Sequence, residues 1–113
     1  MKVDKLDIVL KELSEELRGI LGKNLDKVIL YGSYARGDNR SDSDVDIIAL
    51  VTIDEEQLRL VRRKLNIICS RIGLKYDLLI SLVVKNERKF YRDISILLFY
   101  QNIMKDGVVV YAA

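Results

Sequence analysis

The chain has 113 residues, half of them hydrophobic, with 19 basic and 17 acidic side chains and a net charge of +2. That length allows one domain, 1–113, and leaves no room for a second that would hold a large substrate. The charge is too balanced to argue for direct nucleic-acid binding. The lack of histidine excludes His-based acid–base chemistry and His metal sites.

The N-terminal segment alternates charges with leucines, which does not fit a signal peptide. Leu6, Leu10, Leu13, Leu17 and Leu21 recur at spacings of three and four, predicting a helix from about Asp4 to Leu21 that ends at Gly22. Two short buried strands follow, at 27–31 and 45–51. The next helix is capped by Asp54, with Gln57 in capping-box position. Leu58, Val61, Leu65, Ile68 and Ile72 form its inner stripe, and Gly73 is expected to end it. A third strand is predicted over 75–84 and a last helix from Glu87 to about Lys105, capped by Asn86 and stopped by Gly107. The fourth strand is 108–112. This order predicts an α+β (α/β two-layer) domain with a small mixed sheet flanked by helices. No apolar run reaches the roughly 18 residues of a membrane span. The single Cys69 has no partner for an internal disulfide, which points to a reducing, cytoplasmic setting.

The stretch Leu30–Leu50, LYGSYARGDNRSDSDVDIIAL, carries the chemistry. Asp44 and Asp46 stand at i and i+2 where the second strand starts, so their carboxylates share a face with Ile48 and Leu50. Like charges this close repel, and a divalent cation such as Mg²⁺ relieves the conflict. Asp77 lies in an otherwise apolar segment, and a lone buried carboxylate is costly. If the third strand pairs beside the second, Asp77 approaches the other two. The three acids then hold two metals roughly 4 Å apart for an in-line displacement. Gly32 lets the backbone approach a ligand, and Ser33 is expected to cap a short helix starting at Tyr34. Arg36 has the reach to donate to a phosphate. Asp42, Ser41 and Ser43 are expected to order the loop and not to bind metal. Taken singly, each feature also fits a plain reading: a solvated turn, a strand-end aspartate, an exposed arginine.

Together, Gly32, Ser33, Arg36, Gly37, Ser43, Asp44 and Asp46, with Asp77 downstream, resemble the signature of DNA polymerase beta-type nucleotidyltransferases. The best match is to the minimal nucleotidyltransferases (MNT) of HEPN/MNT toxin–antitoxin pairs. The resemblance implies Mg²⁺-dependent binding of a nucleoside triphosphate, ATP first. Gly32 and Ser33 would hold its phosphates, and Asp44, Asp46 and Asp77 would serve as metal-binding and catalytic residues. It implies transfer of AMP to a hydroxyl, such as a tyrosine of an HEPN toxin, by a chain acting as the antitoxin. A non-catalytic antitoxin that blocks the toxin by contact is the competing reading. A small-molecule transferase ranks lower because no extra substrate domain is present, and a nucleic-acid polymerase lower still.

The last predicted helix is apolar on more than one face. Phe90, Ile94, Leu97, Leu98 and Met104 are expected to face the core. Ile96, Phe99, Tyr100 and Ile103 are left for a protein partner or for self-association through 87–105.

Overall fold

The computed structural model describes residues 4–113. Helix α1 spans Lys5–Leu21, capped by the Asp4 side chain and ended at Gly22, whose φ of 57° suits glycine. A 3₁₀ turn, Gly22–Asn24, leads into strand β1, Leu25–Tyr31. A four-residue helix α2, Ser33–Arg36, precedes β2, Val45–Val51. Then come α3, Glu55–Tyr76; β3, Ile80–Asn86; α4, Glu87–Asp93; α5, Leu98–Asp106; and β4, Val108–Ala112.

The four strands form one sheet in the order β3-β2-β1-β4. β1 runs antiparallel to both β2 and β4, whereas β2 and β3 are parallel, with α3 as their crossover. The sheet is therefore mixed and flanked by helices, as expected.

The helices divide between the two faces. Val28 and Leu30 of β1 and Val45, Ile47, Ala49 and Val51 of β2 pack with Leu13 and Leu17 of α1 and Leu65 and Ile68 of α3. The alternate residues Ile29, Ile48 and Leu50 meet Phe90 of α4 and Tyr100 and Ile103 of α5 on the other face. Each fully buried side chain of this size contributes about 1.5–3 kcal/mol.

The predicted capping box is present: Gln57 N donates to Asp54 Oδ1 at 2.9 Å, and Asp54 N to Gln57 Oε1 at 3.3 Å. Asn86 caps α4 by accepting from the backbone of Arg88 and Lys89.

Three expectations need correction. Gly73 does not end α3. It is buried where a β-carbon would strike the Leu78 carbonyl, so it permits the chain to fold back closely. The helix runs three residues further, and the next strand begins at Ile80 rather than at 75. The single helix 87–105 is two, broken at Ile94–Leu97, where the amides of Ile96 and Leu97 both turn back to the Asp93 carbonyl. This break rotates the second half. Tyr100 and Ile103 become buried, while Leu97, Leu98 and Met104 join Ile96 and Phe99 on the surface.

Candidate active site

The site forms where β1 ends and β2 begins, at the rim of the α4/α5 face. Alternation along β2 puts Asp46 on that face, in line with Ile48 and Leu50. Tyr31 is its cross-strand partner on β1, and Ser81 is its register partner on β3. Asp44 lies one strand step out, exposed.

Directly after Tyr31, Gly32 has a φ of 76°, and the Asp46 carboxylate fills the space a β-carbon there would need. Glycine is thus required twice, for backbone angle and for closeness. The carbonyl of Gly32 accepts from the amides of Ala35 and Arg36, each at 3.1 Å, which closes α2. Gly32 is the N-cap and Ser33 the first helical residue, so Ser33 does not cap as expected. Gly37, at φ 80°, ends the turn.

Arg36 makes an exposed ion pair with Asp38 at 3.2 Å. In the loop, Ser43 Oγ accepts from the Arg40 amide at 2.8 Å, and the Ser43 amide donates back to the Arg40 carbonyl. Ser43 therefore orders this loop, as expected.

Partial burial pushes the Asp46 carboxyl above its ordinary range, Asp44 adds to the rise, and Arg36 opposes it. Tyr31 is half-buried, and its hydroxyl is pushed up to about 12 by burial and then by Asp46. Its ring meets that of Phe99 edge-on, with centroids 5.5 Å apart. Neither aromatic is a site candidate from the sequence, which assigns Phe99 to a partner surface. For Tyr31 the alternation Ile29–Tyr31 toward the face of Asp46 is the signal that finds it; Phe99 depends on the helix break.

Asp77 is elsewhere. It is the C-cap of α3, exposed, at φ 55°, three residues before β3. Among the described residues no group of three acidic, His or Cys side chains is placed to hold a metal. Asp44 and Asp46 are the two candidate acids that stand together at the start of β2. Their oxygen donors, near enough for Asp44 to raise the partly desolvated Asp46 carboxyl, fit a hard divalent cation such as Mg²⁺.

A family model described as a nucleotidyltransferase domain matches residues 7–110. Two proteins of Methanocaldococcus jannaschii are similar in sequence, each named on inference as a protein adenylyltransferase. One is 45% identical over 80 residues, 67% of this chain and 75% of the relative. The other is 31% identical over 102 residues, 90% and 94%. The fold is also that of a chain in a toxin–antitoxin crystal structure with AMP-PNP, at a TM-score of 0.61 and 20% identity, covering 92% of this chain and 73% of that one. A complex of a tri-AMPylated Shewanella oneidensis HEPN toxin with its MNT antitoxin matches at a TM-score of 0.55 and 18% identity, covering 94% and 71%.

The chain belongs to the nucleotidyltransferase-domain family. It is a nucleotidyltransferase, and its fold is shared with chains of toxin–antitoxin complexes.

Proposed function

We propose that this chain is a Mg²⁺-dependent adenylyltransferase that moves AMP from ATP to a tyrosine hydroxyl on an HEPN toxin, and so acts as its antitoxin. The observation that carries the reading is the contact between the Gly32–Ser33 turn and the Asp46 carboxylate, with Asp44 beside it. The names of the M. jannaschii relatives support protein adenylylation, and the AMP-PNP and tri-AMPylated complexes support ATP and an HEPN partner.

Asp44 and Asp46 would hold the cation. When bound, it would neutralise the triphosphate and the charge that develops at the transferring phosphorus. Gly32 lets the turn close onto the Asp46 carboxylate, the Ser33 hydroxyl and amide would donate to a phosphate there, and Arg36 would add a charged donor. The acceptor oxygen bonds to the α-phosphorus, the bond to the bridging oxygen breaks, and pyrophosphate and a proton leave. Positioning and charge neutralisation supply most of the rate.

The acceptor has a docking place. Leu98, Phe99 and Met104 of α5 and Val108 and Val109 of β4 are exposed, and Phe99 meets Tyr31 of the site. An HEPN protein covering them would bring its tyrosine to Asp46; a second copy of this chain is the other occupant of that patch. The free, buried Cys69 fits a cytoplasmic setting. No described helix is long and apolar enough to cross a membrane.

A second reading is an antitoxin that neutralises the toxin by contact alone. The exposed apolar patch favours it. Transfer of label from α-³²P-ATP to lysate proteins, with the Asp44→Asn/Asp46→Asn variant alongside, separates the two. A band on the HEPN partner that depends on both aspartates is the expected result. A stable complex with no aspartate-dependent band overturns the enzymatic reading.

A further inference from the structure

The outer face of α3 lies on the layer opposite α4 and α5, away from the carboxylates. Its buried side uses Leu58, Leu65, Ile68 and Ile72. Diametrically opposite stand three large apolar side chains seven residues apart: Leu60, 77% exposed; Ile67, 57%; and Leu74, 86%. An α-helix drifts only about 20° per seven residues, so these three form one nearly straight line. Glu56, Arg63 and Ser70 fill the alternate places, and all three are exposed. The line 56-60-63-67-70-74 steps by four and three, the spacing of a helix that packs along another helix.

Single exposed leucines are ordinary, but three in heptad register on a 22-residue helix are a seam. The charge around it is one-sided. α3 carries six basic residues and only two acidic ones, more net positive charge than the whole chain has. Arg71 and Lys75 are tied to Glu16 and Glu12 of α1, at 2.8 and 2.7 Å. Among the described residues, Arg59, Arg63 and Lys64 have no carboxylate within ion-pair distance.

We infer that the α3 seam docks an amphipathic helix of a protein partner, with an apolar stripe on Leu60, Ile67 and Leu74 and Asp or Glu on its flanks facing Arg59, Arg63 and Lys64. The charges select against a second copy. Two α3 helices packed antiparallel about Ile67 set Arg63 against the second copy's Arg71, and Arg59 against its Lys75. A parallel pair sets each base against itself. The seam is independent of the chemistry assigned to Asp44 and Asp46.

The test uses two fluorescein-labelled helical peptides with leucine heptads, one flanked by Glu and one by Lys, and anisotropy titrations with the full chain. The Glu-flanked peptide binds saturably and more weakly as salt rises. Leu60→Ala/Ile67→Ala/Leu74→Ala weakens it by about tenfold or more, with unchanged circular dichroism. Arg63→Glu/Lys64→Glu shifts preference to the Lys-flanked peptide, which guards against a triple variant that fails to fold. Absence of saturable binding, or binding that both variants retain, overturns the inference. So does a wild-type dimer in sedimentation that the triple variant abolishes, which would assign the seam to a second copy. Flotation with phosphatidylglycerol vesicles that matches or exceeds peptide binding assigns it to a membrane surface instead and overturns it as well.

Discussion

The Asp46 carboxylate occupies the place where a β-carbon at position 32 would stand, and Gly32 holds a φ of 76° to allow it. The turn after β1 and the start of β2 are thereby locked into one unit. Gly32→Ala meets both obstacles. The backbone angle costs about 1–2 kcal/mol for an L-residue, and the new methyl displaces the carboxylate. A displacement of this kind near a reacting centre lowers rate by about 100-fold. The expected outcome is a modest drop in the thermal midpoint with a far larger loss of AMP transfer. Retention of full activity would mean that the turn is not part of the site.

Asp44→Asn/Asp46→Asn separates charge from shape. Asparagine is nearly isosteric with aspartate, and the substitution removes both the burial cost of the Asp46 charge, the larger cause of its raised carboxyl, and the repulsion from Asp44. The variant should fold at least as stably as the wild type without metal, yet lose transfer by about 100-fold or more. Mg²⁺ should raise the thermal midpoint of the wild type by mass action and leave the variant unmoved. Scanning calorimetry with Mg²⁺ and with EDTA reads both effects, and an equal Mg²⁺ shift in the two proteins would remove these aspartates from the metal site.

The contrast between these residues and Asp77 marks what the sequence carries. Asp44 and Asp46 share a face because strand geometry alternates every residue, a local rule that needs no knowledge of neighbours. The capping box at Asp54 and the leucine stripe of α1 are local in the same way, and both are present. The start of β3 depends on where a long crossover helix stops. Gly73 resembled a stop, but its role is a close approach to Leu78, visible only in three dimensions. That shift of a few residues moved Asp77 off the strand. The break at Ile94–Leu97 was hidden for a similar reason: no glycine or proline marks it, and the packing of Tyr100 and Ile103 on Ile29, Ile48 and Leu50 decides it.

Asp77 tests how far the site extends beyond Asp44 and Asp46. It is an exposed helix C-cap in the left-handed region, where glycine is favoured and aspartate tolerated. Asp77→Gly should be neutral to about 1 kcal/mol stabilising, read by urea denaturation. Asp77→Ala should keep AMP transfer within about threefold of wild type, well short of the effect of losing a catalytic carboxylate. A loss on the scale of the Asp44→Asn/Asp46→Asn variant would place Asp77 back beside them in the working complex.

Cys69 reports on the other face of the sheet. It is buried against the α1/α3 core, and burial pushes its thiol up to about 11. In the native chain at about pH 8 it should react with a disulfide reagent about 100-fold more slowly than an exposed thiol, and at the ordinary rate once the chain is unfolded. The sign of the stability effect follows. Below pH 9 both states keep the proton. Between about 9 and about 11 the unfolded chain ionises while the folded one does not, so stability falls as pH rises through that window and levels off above it. Cys69→Ala should be less stable throughout because it leaves a cavity, and it should lose the part of the slope that belongs to this thiol. Denaturant midpoints of the two proteins across that pH range measure the difference, and parallel curves would mean that the thiol is not protected by burial.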